Sequence, residues 1–99
     1  MGLDQDARMG LESTIDKILK DSENWELTFK EVLRTQGIEA NLETVLSLII
    51  GALLGQTAQY YIDKYNRRLN RDETQDFEDI LKRRAWELRQ TFIELRMTK

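Results

Sequence analysis

The chain has 99 residues, 40% of them apolar and 33% charged, and a net charge of −3. That length holds one domain, and that composition is too apolar for disorder while suiting helices with one buried stripe and one solvated face. Cysteine and histidine are both absent, which excludes disulfides and thiolate chemistry and removes the commonest acid–base catalyst and metal ligand; a non-enzymatic protein with no cofactor is expected.

Proline is absent as well. Because proline interrupts helices and pre-sets turns, its absence favours long helices joined by short links. Charge is unevenly spread: residues 1–59 hold five basic against ten acidic residues, and residues 60–99 hold ten against eight. The second part is locally basic without the one-signed cluster of a nucleic-acid face.

Residues 1–10 carry two glycines and little pattern, which predicts a flexible start before a single helical domain over 11–99. The spacing of Leu11, Ile15, Ile18 and Leu19 predicts a first helix over Leu11–Lys20. Asp21 or Ser22 can cap a second over Glu23–Gln36, with Trp25, Phe29, Val32 and Leu33 on one face. Gly37 suits the left-handed conformation past a helix end, and Ile38 is placed to touch Leu33 as that kind of cap prefers.

Asn41 is the predicted cap of a third helix, Leu42–Leu69. Val45 to Leu54 is apolar on every side, which in a soluble protein predicts burial all round. Ser47, Gly51 and Gly55 recur four apart, a small-residue row along which another backbone can come close. Further on, Ala58, Tyr61, Ile62, Tyr65 and Leu69 narrow to one stripe. Unbroken, this helix is ~42 Å long and would overhang a domain whose radius of gyration is near 13 Å. Either it breaks near Gly55 or a second chain covers the overhang.

Residues 70–72 read as a turn, and Asp72 with Gln75 as a capping box for a fourth helix, Glu73–Met97. Its acids come early and its bases late, as the helix dipole favours. Phe77, Ile80, Leu81, Ala85, Leu88, Phe92 and Leu95 form the core stripe. Trp86, Ile93 and Met97 lie well over 90° around the same helix, a second apolar face of little use to a monomer.

Three features bear on function. The uncharged stretch Thr44 to Ile62 reaches ~28 Å as a helix, just short of a ~30 Å hydrocarbon core; Tyr60 and Tyr61 sit where an aromatic belt would, before Lys64, Arg67, Arg68 and Arg71. Its strongly apolar part, Val45 to Leu54, has the length of a buried core helix. Secondly, Arg67, Arg68, Lys82, Arg83 and Arg84 flank the last turn and form a candidate patch for phosphate or nucleic acid, although neighbouring acids favour a solvated, internally paired face. The acidic run from Asp72 fails as a calcium loop, because the sixth and twelfth positions hold Phe77 and Arg83. Thirdly, Trp86, Ile93 and Met97, with Gly51 and Gly55, make a candidate interaction surface.

The resulting expectation is an all-α bundle of three or four helices, dominated by a long antiparallel helical hairpin and associated as a homodimer. Its expected function is that of a cytoplasmic protein–protein interaction module that self-associates and binds a partner through an apolar helix face. Two alternatives stand beside it: a small membrane-associated protein with one span near 44–62, and a weak nucleic-acid or phosphate binder using the basic turn region.

Overall fold

The computed structural model describes residues 2–97, with side chains through residue 95. Four α-helices account for most of it: α1 (Gln5–Lys20), α2 (Ser22–Thr35), α3 (Leu42–Tyr65) and α4 (Arg71–Met97). No strand occurs among the described residues.

The first helix begins at Gln5, where the sequence predicts a flexible segment up to residue 10. The Asp4 carboxylate accepts the Ala7 N–H at 2.7 Å and so satisfies one of the free donors of the first turn. Leu3 and Ala7 are buried, and they carry the Leu11–Ile15–Ile18 stripe back toward the start of the chain. Gly10 lies inside the helix and only masks the pattern.

A single residue, Asp21, joins α1 to α2. Its side chain makes no bond to the α2 backbone and instead accepts from Asn24 at 2.9 Å. At the other end, Gly37 has φ +73, a conformation open to glycine and strained for most other residues. The Gly37 N–H donates to the Arg34 carbonyl at 3.0 Å and the Ile38 N–H to the Leu33 carbonyl at 2.9 Å, closing the helix end with the expected pair of bonds.

Asn41 caps α3 reciprocally. Its side chain accepts the Thr44 N–H at 3.0 Å while the Thr44 hydroxyl accepts the Asn41 N–H at 2.9 Å. The helix stops at Tyr65, short of the predicted Leu69, because Asn66 turns left-handed at φ 55. Asparagine is among the few residues besides glycine that enter this region readily. The cap of α4 is also displaced from its predicted place. Asn70 and Glu73, in place of Asp72 and Gln75, exchange bonds at 2.8 and 2.9 Å, so the helix begins at Arg71.

Every pair of helices is in contact, and the core draws on all four. Leu11, Ile15, Ile18, Val45, Ile49, Leu53, Tyr61, Phe77, Ile80 and Phe92 are almost wholly enclosed. On α2 the inward face is rotated from the predicted one: Glu26, Phe29 and Leu33 are buried and Val32 is exposed. The Glu26 carboxylate meets the Lys30 ammonium one turn on, at 3.2 Å. Trp25 stacks on Phe29 with ring centres 5.6 Å apart.

The molecule is elongated, 42 × 27 × 19 Å, with a radius of gyration of 14.3 Å. At ~1.5 Å per residue, α3 and α4 are ~36 and ~40 Å long, which matches the long axis. The described chain thus takes the elongated shape of its long helices, so the length of the third helix is no argument for a second chain.

Candidate interaction surface

Helix α3 has two unlike faces. Val45, Leu46, Ile49, Leu53, Thr57 and Tyr61 turn inward and are buried. Ser47, Ile50, Gly51, Leu54, Gly55, Ile62 and Tyr65 turn outward and are exposed, with Ala58 half-buried among them. At 3.6 residues per turn this second set forms one continuous strip along the helix. Ile50 is 44%, Leu54 41% and Ile62 45% exposed. The all-round burial predicted for Val45 to Leu54 is therefore not met within one chain. A Cβ placed on Gly51 or Gly55 would find nothing within 4 Å, so these two glycines of the small-residue row make no close approach to another part of the fold.

Beside this strip runs a groove between α3 and α4, with a cavity of about 220 Å³ lined by Leu46, Ile49, Ile50, Leu81, Ala85 and Leu88 and rimmed by Lys82 and Arg89. Ile50 belongs to both strip and groove. Arg89 reaches across to Glu43 at 2.6 Å. The hydrogen bond from that guanidinium holds the Glu43 carboxyl below its ordinary range. Lys82 is exposed and forms no ion pair among the described residues.

The aromatic candidate on α4 stands apart. Trp86 is 73% exposed and lies on the far side of α4 from the core stripe. Ile93, two turns later on the same side, is half-buried, and the Met97 side chain lies outside the described residues.

The five candidate basic residues are not gathered into one patch. Arg67 grips Glu73 with two bonds, at 2.7 and 2.8 Å, and its guanidinium lies 5.3 Å from the ring centres of Tyr61 and Tyr65. The bond from Arg67 keeps the Glu73 carboxyl ionised to lower pH than usual, against the opposing effect of burial. Arg84 is held by Asp16 at 2.6 Å, Glu12 at 2.8 Å and Glu87 at 2.9 Å, which ties α4 to α1. Lys82, two residues earlier, faces the α3 groove instead. Arg68 and Arg83 are exposed and form no ion pair among the described residues.

One polar cluster escaped the sequence reading. Asp4 Oδ2 accepts the Tyr65 hydroxyl at 2.6 Å and the Tyr60 hydroxyl at 3.1 Å, with Lys64 Nζ 3.5 Å away. The Asp4 N–H donates to the Tyr61 hydroxyl at 2.7 Å. Slight burial pushes the Asp4 carboxyl up, but the hydrogen bonds and the Lys64 charge outweigh it and hold it below its usual value. The bond to Asp4 in turn pushes the Tyr65 hydroxyl up. The cluster fastens the start of α1 to the end of α3. Its only sequence signal is the density of tyrosines at 60–65, which reads equally well as an aromatic belt.

Among the described residues no group of three or more acids is arranged to hold a metal ion. No protein-family model, no curated protein and no solved structure matches this chain.

Proposed function

We propose that this protein is a non-enzymatic helical interaction module that self-associates and binds a partner protein through an apolar helix face. The observation that carries the reading is the outward strip of α3, uncharged from Ser47 to Ile62 and left largely exposed by its own chain. Exposed apolar strips of this length on a folded domain are surfaces for another molecule to cover. The groove toward α4 widens the strip. In this reading α3 and α4 form a long antiparallel hairpin, supported by the Glu43–Arg89 pair at one end and the Arg67–Glu73 pair at the other. Trp86 and Ile93 offer a second apolar site on the outer side of α4.

The solution mass in detergent-free buffer tests the reading, with Leu54→Asp as the variant. The wild-type chain is expected to sediment as a dimer at tens of micromolar, which needs a Kd of about 1 μM (~8 kcal/mol of association), and Leu54→Asp as a folded monomer. A wild-type monomer at that concentration sinks self-association.

One observation favours a second reading. Leu42–Tyr65 has the length and composition of a membrane-spanning helix, and only 33% of its apolar window is buried. Under this alternative the protein associates with a membrane through a span near 44–62. Expression that yields protein only in the membrane fraction, extractable by detergent alone, supports it over the soluble dimer. The nucleic-acid alternative is weakened by the engagement of Arg67 and Arg84 in internal ion pairs.

A further inference from the structure

We infer that a second copy of this chain covers the outer face of α3, with the two α3 helices antiparallel about a two-fold axis near Leu54 and Gly55. The inference rests on the self-association proposed above and adds to it the face, the direction and the residues that meet.

The ends of the face carry opposite charge. At its beginning stands the exposed Glu39, and just past its end the exposed Arg68; Glu43 is already paired within the chain with Arg89, and Arg67 with Glu73. Asp63 lies on another side of the helix, and Lys64 is turned toward Asp4 and Asp6. Glu39 and Arg68 make no ion pair within the described chain and remain available to a neighbour. In an antiparallel pair centred on Leu54 and Gly55, residue 44 of one copy lies opposite residue 65 of the other, so the segment before α3 that carries Glu39 lies at the same end as the turn after α3 that carries Arg68 of its twin. Glu39 of each copy then comes to the same end as Arg68 of its twin, twice over. A parallel pair sets acid against acid and arginine against arginine. The helix dipoles favour the antiparallel choice as well.

Glycine chemistry separates a protein partner from lipid. Inside a helix glycine weakens the structure relative to alanine, and neither Gly51 nor Gly55 gains a contact in its own chain to offset this. Acyl chains pack as readily around a methyl group as around a hydrogen. A second helix approaching to about 8 Å between axes does need the missing Cβ. In the antiparallel register Gly51 faces the small Ala58, and Ser47 faces Ile62. A two-fold arrangement makes every such contact twice, as closed dimers do.

Because the chain has no cysteine, single substitutions report the arrangement directly. Ser47→Cys and Ile62→Cys are prepared separately, checked for helicity by circular dichroism, and oxidised alone or mixed. The expected result is a disulfide heterodimer in the mixture and little cross-linking of either variant alone, since identical positions lie about 22 Å apart along the pair. Efficient cross-linking of Ser47→Cys with itself means a parallel pair and overturns the inference. So does a chain that sediments as a dimer yet forms no disulfide in any mixture, because the dimer then uses another face. Flotation with phosphatidylcholine vesicles in place of a detergent-free dimer assigns the face to lipid and overturns it too. In either of the first two cases self-association survives; a monomeric mass removes both. As a second readout, Glu39→Lys and Arg68→Glu each weaken the dimer a few-fold, and the two together restore it. If the double variant is weaker than either single one, the proposed pairing is wrong.

Discussion

The inner and outer faces of α3 both carry leucine, isoleucine and tyrosine, the outer one with small residues among them, and they have opposite fates. Leu53 is 1% exposed and its neighbour Leu54 is 41% exposed. Nothing in the local composition separates them; the difference is 100° of rotation about one helix axis. The inner face meets three other helices, while the outer face is exposed over most of its length, touching its own chain at Ile50 beside α4 and at Tyr65 beside Asp4, and includes both glycines of α3. An apolar face on a helix is a sign of burial, but composition alone does not say which molecule does the burying.

The largest effect expected from breaking this contrast lies on the inner face. Leu53→Ala removes enclosed methyl groups and should destabilise the fold by about 3 kcal/mol, within the ~2–5 kcal/mol typical of such sites. Leu54→Ala should stay within about 0.5 kcal/mol for the single chain. Denaturant unfolding at low protein concentration checks both. Equal losses would mean that α3 is turned differently from the arrangement described here.

A smaller effect comes from the fastening between α1 and α3. Asp4→Ala removes a helix cap and the acceptor for Tyr60 and Tyr65, and should cost about 1 kcal/mol, read as a melting temperature lower by ~4–8 °C. Asp4 also gives the fold a pH dependence of known sign. Its carboxyl is held below its ordinary value of 3.8 and that of Glu73 below 4.5. Their stabilisation is therefore complete above those values and is lost as pH falls through the lowered ones. Stability should decline below about pH 4, and Asp4→Asn, less stable at neutral pH, should show a shallower decline. Identical acid profiles for the two chains would remove Asp4 from the account.

The smallest effect sharpens the outer face. Gly51→Ala should leave the single chain unchanged or stabilise it by up to ~1 kcal/mol, since a helix interior favours alanine and a Cβ there meets nothing. The same change should weaken self-association. Separate measurements of thermal stability in dilute solution and of dimer dissociation decide it. A rise or fall of both together would count against a close approach at this position.

Much of the fold was legible because its signals are local. The Gly37 end of α2, the Asn41 cap and most of the stripe from Phe77 to Phe92 depend on neighbours within a turn or two, and the structure has them as expected, except that Leu81 is only half-buried and Ala85, predicted in the core, is exposed beside the groove. The errors came where local readings competed. At the α3–α4 link, Asn66 and Asn70 set the boundaries in place of Leu69 and Asp72, because several polar residues there can each stop or cap a helix. The start of the chain read as flexible because Gly2 and Gly10 interrupt a stripe completed by Leu3 and Ala7. On α2 the rotation that buries Glu26 and exposes Val32 could not be read from spacing, since neighbouring stripes differ by less than a turn.

The sequence by itself determined that this protein is helical, where α2 ends and α3 begins, and that its third helix carries more apolar surface than one stripe needs. Periodicity and capping act over a few residues, so one chain read in order suffices for them. Only the tertiary structure decided which side of that helix the other three cover, that Arg67 and Arg84 are held within the fold, and that Asp4 draws three tyrosines together. Those outcomes depend on residues up to 72 positions apart in the chain, and their pairing is fixed by the packing of whole helices.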